Sequence, residues 1–295
     1  MSSRIVVTGA GGQVGSFLAA RAAGEGREVL ALTSAQWDIT DAAAAGRIVQ
    51  PGDVVINCAA YTDVDGAESD QQAALAVNVT GPGQIAAACA RVGARLIHIS
   101  TDYVFSGDFG GAQPRPYEPD DETGPLSVYG RTKLAGEAAV LAAAPDATVV
   151  RTAWVYTGAA GGDFVATMRS LAAGGDTVAV VDDQIGSPTY VADLTGALLQ
   201  VADGRMTRRV LHAANRGAAS RYQQACAVFA EVGADPERVR PVSSADRPRA
   251  ASRPRYSALS SVESERAGLA PLPEWRSALA AALADVLPDP RCPPG

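Results

Sequence analysis

The sequence predicts an α/β protein, a doubly wound parallel sheet carrying a smaller C-terminal lobe. Three observations predict it. Short, β-branched apolar runs alternate with longer helical stretches through the first half, and a glycine-rich turn follows the first run directly. Beyond position 150 the alternation loosens into shorter, less regular segments.

The strand candidates of the first half are Arg4–Thr8, Glu28–Thr33, Asp53–Ala60, Arg95–Ser100 and Thr148–Tyr156. Each is continuous in apolar residues, as burial on both faces of a parallel sheet requires. Helical patterns at Gln13–Ala23, Ala76–Val92 and Val128–Ala143 supply the crossovers between them. In the second half Thr177–Asp183 and Val210–Ala213 read as strands. Phe164–Ala173, Val191–Ala202, Arg221–Glu231 and Glu274–Val286 read as helices. Pro241–Arg255, rich in Pro, Ser and Arg, reads as loop, and Pro288–Gly295 as a frayed tail. This divides the chain into a domain over 1–150 and a lobe made mainly of 151–295, interleaved with the first.

Composition narrows the function classes. With 47% hydrophobic and 19% charged residues, the 295-residue chain has the profile of an ordered globular protein. A formal net charge of -7 argues against a general nucleic-acid binder, which needs a basic footprint to release counterions. Cys58, Cys89, Cys226 and Cys292 form no CxxC pair, and His98 and His212 are the two histidines beside them. No metal site is expected from that set. Scattered thiols suit a reducing compartment. The N-terminus has no signal-like apolar region, and no apolar run approaches the ~20 residues that cross a bilayer. The expectation is a cytoplasmic protein with no membrane and no nucleic-acid partner.

Thr8-Gly9-Ala10-Gly11-Gly12-Gln13-Val14-Gly15 follows the first strand and opens the first helix. Gly9, Gly12 and Gly15 at three-residue spacing permit a tight turn, close approach of backbone to a pyrophosphate, and close packing of helix on sheet. The helix N-terminus then presents free N–H groups to the phosphates. Alone, the triplet fits any strand–helix turn; directly after the first strand it points to a dinucleotide of the Rossmann type. The second strand ends Leu32-Thr33-Ser34, with neither the acid that favours NAD nor an arginine for a 2′-phosphate. Asp38, followed by Ile39, comes slightly later and serves either the adenosine end or a turn. NADPH is the expected cofactor, with NADH also accepted.

Tyr129 and Lys133 stand at i,i+4 near a helix start, on one face and one turn apart. A free phenol, with a pKa of ~10, exchanges protons poorly at neutral pH. A neighbouring ammonium stabilises phenolate and makes the phenol a usable acid. The lysine also reaches the ribose of a bound nicotinamide nucleotide. A surface helix pair is the bland alternative for this spacing. Ligands of open parallel sheets bind past the carboxyl ends of the strands, where the chain reads His98-Ile99-Ser100-Thr101-Asp102-Tyr103. Thr101 or Ser100 can offer a hydroxyl to a substrate carbonyl there. Asp102 is either a turn residue or a participant, and His98 reads as a core histidine.

At these residues the sequence resembles the extended short-chain dehydrogenase/reductase family, and within it the dTDP-4-dehydrorhamnose reductase-like branch. The carriers are Asn57–Asp65, Ser100–Phe105, Tyr129–Glu137, Arg151–Tyr156 and Asp182–Thr189. The resemblance implies hydride addition to the C4 ketone of a dTDP-4-keto-6-deoxyhexose, dTDP-4-dehydro-L-rhamnose above all, giving dTDP-L-rhamnose. Tyr129 would donate the proton, Thr101 polarise the ketone, and Lys133 tune the tyrosine and hold the ribose. It further implies Ala59, Ala60 and Tyr61 at the cofactor edge of the third strand. Val64, Asp65, Tyr103 and Trp154 would line the sugar pocket, with Arg253 on the diphosphate; core packing and a solvated loop are the rival readings for Trp154 and Arg253.

The related dehydratases carry an Asp-Glu pair after the threonine. Here Tyr103 follows Asp102, which disfavours them. The positions that hold magnesium between subunits in some rhamnose-pathway reductases correspond to Phe17 and Ala192, which are not ligands. A monomer or weak homodimer is expected. Asp163-Phe164 replaces the more frequent Asn-Phe. The alternatives are a 4-ketoreductase for another deoxysugar and a non-catalytic dinucleotide-binding subunit.

Overall fold

The computed structural model describes residues 3–158, 161–204 and 206–284. The chain enters through β1 (Ile5–Thr8), α1 (Gln13–Gly24), β2 (Val29–Leu32), α2 (Ala42–Ile48) and β3 (Val54–Asn57). The short α3 (Gly66–Ser69) and α4 (Gln71–Leu75) follow, then a π-turn at Ala76–Thr80 and α5 (Gly81–Val92). Next come β4 (Arg95–Thr101), α6 (Val128–Ala143), β5 (Thr148–Thr152), β6 (Val155–Tyr156), α7 (Phe164–Ala172), β7 (Val178–Val181), β8 (Ile185–Gly186) and β9 (Thr189–Tyr190). The described chain closes with α8 (Val191–Asp203), β10 (Val210–His212), β11 (Ala219–Ser220), α9 (Arg221–Glu231), β12 (Val239–Val242), α10 (Val262–Arg266) and α11 (Trp275–Ala284).

Six strands form one parallel sheet in the order β10-β5-β4-β3-β1-β2. Strand periodicity sends alternate residues to opposite faces. Ile5, Val7 and Ile56 therefore pack with Leu18, Leu194 and Leu198 of α1 and α8, while Val6 and Val55 pack with Ile85 of α5 and Val140 of α6. The order reverses between β1 and β3, and that switch opens a crevice at the strands' carboxyl ends. The later segments return to the sheet through β10 and build a second core around Tyr156, Val165, Val228, Phe229 and Leu279.

Several expectations need correction. The predicted strand Thr148–Tyr156 breaks at Trp154, whose φ of 48 turns the chain so that β6 leaves the sheet and pairs with β9. The predicted loop from Pro241 begins inside β12, which pairs with β7; Pro241 is tolerated in a two-stranded ribbon because its missing N–H interrupts no central ladder. The helix expected from Ala76 begins at Gln71, so Gln71–Val92 forms a 22-residue helical run that is, by length and composition, able to cross a membrane. Here it is part of the layer under α6, with buried Asn78 hydrogen-bonded to Thr132 of that helix. The end of the predicted helix Glu274–Val286, the tail Pro288–Gly295 and Cys292 lie outside the described residues.

Candidate active site

A cleft of about 720 Å³ lies at the carboxyl ends of β1, β3, β4 and β5. Its first wall is the glycine loop. Gly9 takes φ +64, and a Cβ there would come within 2.7 Å of the Ala59 backbone, so loop and β3 edge touch main chain to main chain. Gly12 caps α1 without a side chain, which leaves the first-turn N–H groups facing the cleft. All the residues expected to hold a dinucleotide line this space: Gly9, Gly11–Gly15, Asp38, Ile39, Ala59, Ala60, Tyr61 and Lys133. Asp38 makes a turn, accepting from the Thr40 amide and hydroxyl at 2.9 and 2.7 Å, while also lining the cleft.

Helix α6 carries the opposite wall. Ser127 caps it by accepting from the Gly130 amide at 3.1 Å, and Glu68 accepts from the Val128 amide at 2.8 Å. Asn78, in the π-turn, accepts from the Tyr61 amide at 2.9 Å and donates to the Tyr61 carbonyl and the Thr132 hydroxyl, both at 3.1 Å. That one amide joins the β3 edge to α6. Sequence reasoning missed it; a lone Asn within an apolar helix was the available signal.

Thr101, Tyr129 and Lys133 converge in this cleft. The buried Lys133 ammonium donates to the Ile99 carbonyl at 2.7 Å, and burial lowers its pKa to about 8. Tyr129 differs from the expectation. Burial raises its pKa above the ordinary phenol range, Asp102 and Tyr103 add to the rise, and a hydrogen bond with Thr101 opposes it. Lys133 is not among the groups that shift it. Desolvation outweighs any ammonium effect, so the expected lowering by Lys133 is not found. Such a phenol stays protonated at neutral pH, which suits a proton donor.

Asp102 is buried beneath the same hydroxyl. It accepts from Thr101 at 3.1 Å and from Ser257 at 2.5 Å, and burial raises its pKa to about 6. Ser100 and Thr152 place buried hydroxyls without partners along the cleft. Unsatisfied hydroxyls beside a glycine cradle fit a polar, backbone-held ligand such as a nicotinamide dinucleotide. His98 is fully buried, bonds Asn57 through Nδ1 at 2.9 Å and has its pKa lowered by burial, so it is a neutral core residue.

The residues expected around a sugar divide. Trp154 lines the cleft, and a Cβ on Gly186 would overlap its indole, so that glycine fixes where the ring lies. Tyr103 stands edge-on to Tyr129, ring centroids 5.8 Å apart. It lines a second cleft of about 670 Å³ with Arg221, Arg247, Arg249 and Arg253. Asp65 and Arg253 pair with each other at 3.0 and 2.9 Å, and Asp65 also takes the Ala251 amide at 3.0 Å. Val64 lines none of the clefts described. Asp163 caps α7 and accepts from Thr157 and Gln13, which ties the glycine loop to the start of α7.

A doubly wound sheet, a glycine loop at its switch point and a Tyr-Lys pair across the cleft define the extended short-chain dehydrogenase/reductase class. Residues 3–287 match the family model described as RmlD substrate binding domain, and the chain belongs to that family. It is 71% identical over 96% of its length to a dTDP-4-dehydrorhamnose reductase of Mycobacterium tuberculosis (strain H37Rv), spanning 93% of that protein. It is 63% identical to the reductase of the same name from Mycolicibacterium smegmatis, over 97% of this chain and 87% of that protein. Among solved structures it superposes with a TM-score of 0.90 on the dTDP-4-dehydrorhamnose reductase of Bacillus anthracis in complex with NADP. That match is 34% identical and covers 97% of this chain and 100% of that one.

Proposed function

We propose that this protein reduces the C4 ketone of a dTDP-4-keto-6-deoxyhexose, foremost dTDP-4-dehydro-L-rhamnose to dTDP-L-rhamnose, with NADPH as hydride donor. The observation that carries the reading is the convergence of Thr101, Tyr129 and Lys133 in the cleft that the glycine loop opens. The high identity to reductases of that name supports the substrate class. Lys133 is the single Lys or Arg side chain among the residues lining the cleft. With no arginine to select a 2′-phosphate, NADH is accepted as well.

When bound, the nicotinamide supplies the hydride that C4 receives. The chain supplies the rest. Gly9, Gly12 and the first turn of α1 would hold the pyrophosphate, Asp38 and Ile39 the adenosine end, and Ala59, Ala60 and Tyr61 the β3 side of the dinucleotide. Thr101, turning its hydroxyl away from Asp102, would donate to the ketone oxygen and polarise the C4–O bond. Tyr129 passes its proton to that oxygen as negative charge develops there, so ketone, hydride and proton balance to the alcohol. Lys133 stabilises the phenolate left behind and holds the ribose hydroxyls. Trp154 offers an apolar face to the deoxysugar.

Purified protein mixed with NADPH and dTDP-4-dehydro-L-rhamnose is expected to consume the reduced-nicotinamide absorbance. The product's ring proton couplings by NMR then give the C4 configuration. Absence of turnover across a panel of dTDP-4-ketohexoses removes the proposal, and turnover confined to another ketosugar moves the substrate within the class.

A further inference from the structure

Ser257 follows the bridge that joins Tyr256 to Ile185 of β8, and its own amide donates to the Ile185 carbonyl at 2.8 Å. Its main chain is therefore fixed to the strand whose Gly186 sets the Trp154 ring. From that anchor its hydroxyl turns to the carboxyl end of β4 and donates to Asp102 Oδ2 at 2.5 Å. Both residues are buried, Ser257 with 1% exposed and Asp102 with 2%. The other carboxylate oxygen, Oδ1, accepts from the Thr101 hydroxyl at 3.1 Å. Among the described residues these two hydroxyls are the side-chain donors to Asp102.

The consequence falls on Thr101. A hydroxyl has one proton and two lone pairs. The Thr101 oxygen accepts from the Tyr103 amide at 3.2 Å and is hydrogen-bonded with Tyr129, so its proton goes to Asp102. Delivering that proton to a ketone withdraws it from a buried carboxylate, which then keeps Ser257 as its side-chain donor. A buried carboxylate stripped of donors costs far more than one that retains a short hydrogen bond. Ser257 thus makes the turn of Thr101 toward substrate cheaper.

We propose that Ser257 is a positioning residue of the reduction: it holds the Asp102 carboxylate under Thr101 and lets the Thr101 proton swing from Asp102 to the substrate carbonyl. The inference rests on the reading of this protein as a carbonyl reductase with Thr101 as the polarising hydroxyl. It adds a side chain that lines none of the clefts described and meets Asp102 across 155 positions.

The carboxyl group reports the first half of the proposal. In full-length protein carrying isotope-labelled aspartate, the Asp102 NMR signal is the one lost in Asp102→Asn, and it is expected to titrate near pH 6. Ser257→Ala removes a donor to the ionised form, so the midpoint is expected to move upward. Tyr103 and Tyr129, both raised, and Arg221, at about 10, act on the same carboxyl and keep one charge state across this range. An unmoved midpoint overturns the proposal.

Kinetics at pH 8, where Asp102 is ionised, report the second half. Ser257→Ala is expected to lower kcat for the ketosugar about tenfold, the lower end for losing a hydrogen bond to a charged group, with both KM values unchanged. Ser257→Thr restores the hydroxyl and is expected to recover most of that rate. In an Asp102→Asn background Ser257→Ala should cost nothing further, since the two act through one path. A wild-type kcat in Ser257→Ala, losses that multiply in the double variant, or a rise of both KM values in place of a fall in kcat each overturns the proposal. Failure of the functional reading looks different. In that case the wild type turns over no dTDP-4-ketohexose, while the Asp102 midpoint still moves with Ser257.

Discussion

On one side of Trp154 the residues lining the cleft include Lys133 and no arginine; on the other, four arginines line the adjoining space. The first side presents main chain: glycines, the uncapped first turn of α1, and hydroxyls of Ser100, Thr101 and Thr152. The second presents guanidinium groups on loops and a helix start. Both sides suit phosphorylated ligands, yet by different physics. Backbone N–H groups hold a pyrophosphate at fixed geometry and add no titratable charge near the reacting atoms. Guanidinium groups bind more strongly and would disturb the charge balance of a proton transfer, so they suit the part of the substrate remote from the chemistry. Trp154, held in a left-handed conformation and backed by Gly186, lines the first cleft, and Arg221, stacked on its ring, lines the second.

The largest expected effect isolates the chemistry from both binding sides. Tyr129→Phe removes one hydroxyl and preserves the ring that meets Tyr103 edge-on. Turnover of the ketosugar is expected to fall by about 10²- to 10⁴-fold, the range for loss of a general acid. Calorimetry on the same variant should return wild-type affinities for NADPH and dTDP. A matching fall in either affinity would mean that binding and proton transfer are not separate functions of these surfaces.

A second change breaks the backbone side alone. Gly9→Ala puts a methyl group within 2.7 Å of the Ala59 backbone at a position with φ +64. The left-handed conformation costs about 1–2 kcal/mol for a residue with a Cβ. The overlap adds about 1–3 kcal/mol. NADPH affinity should drop sharply while dTDP affinity holds if the arginine side carries it. If thermal unfolding shows the variant intact and NADPH binds normally, the glycine loop is not the cradle.

The two sides were unequally legible in the sequence. The glycine loop, Tyr129 and Lys133 act through local spacing, which survives in one dimension, and the α6 range Val128–Ala143 is as the periodicity predicts. The sheet was legible for the same reason, since continuous β-branched runs say buried parallel strands. The arginine side depends on contacts between distant segments. Arg221 meets Trp154 across 67 positions, and Asp65 meets Arg253 across 188. No periodicity records such a pairing, so the sequence placed Asp65 and Arg253 at a sugar nucleotide without showing that they pair with each other. β12 failed because Arg240 and Pro241 interrupt its apolar run, and β6 because it continues the run of β5 in sequence while leaving the sheet at Trp154. The left-handed turn that frees β6 is imposed by packing on Gly186, not by the local sequence.

The smallest expected effect tests the lone cation of the backbone side by pH. Lys133 is lowered to about 8, so its ammonium is present at pH 7 and largely gone at pH 9. Other groups lining the cleft keep clear of that window: Asp102, raised to about 6, is already ionised, Cys58 is raised to about 12, and Tyr129 lies above its ordinary value. If Lys133 stabilises the developing phenolate, kcat/KM should fall as pH rises through 8, by up to about tenfold between pH 7 and 9. Arg221, lowered only to about 10, and Arg253, raised above its ordinary value, stay charged through that window, so dTDP affinity should stay nearly level over the same range. A flat rate profile would remove the ammonium from the proton-transfer step and leave Lys133 as a ligand of the ribose alone. A parallel loss of dTDP affinity would show instead that the two sides share one electrostatic field, against the division between the two clefts.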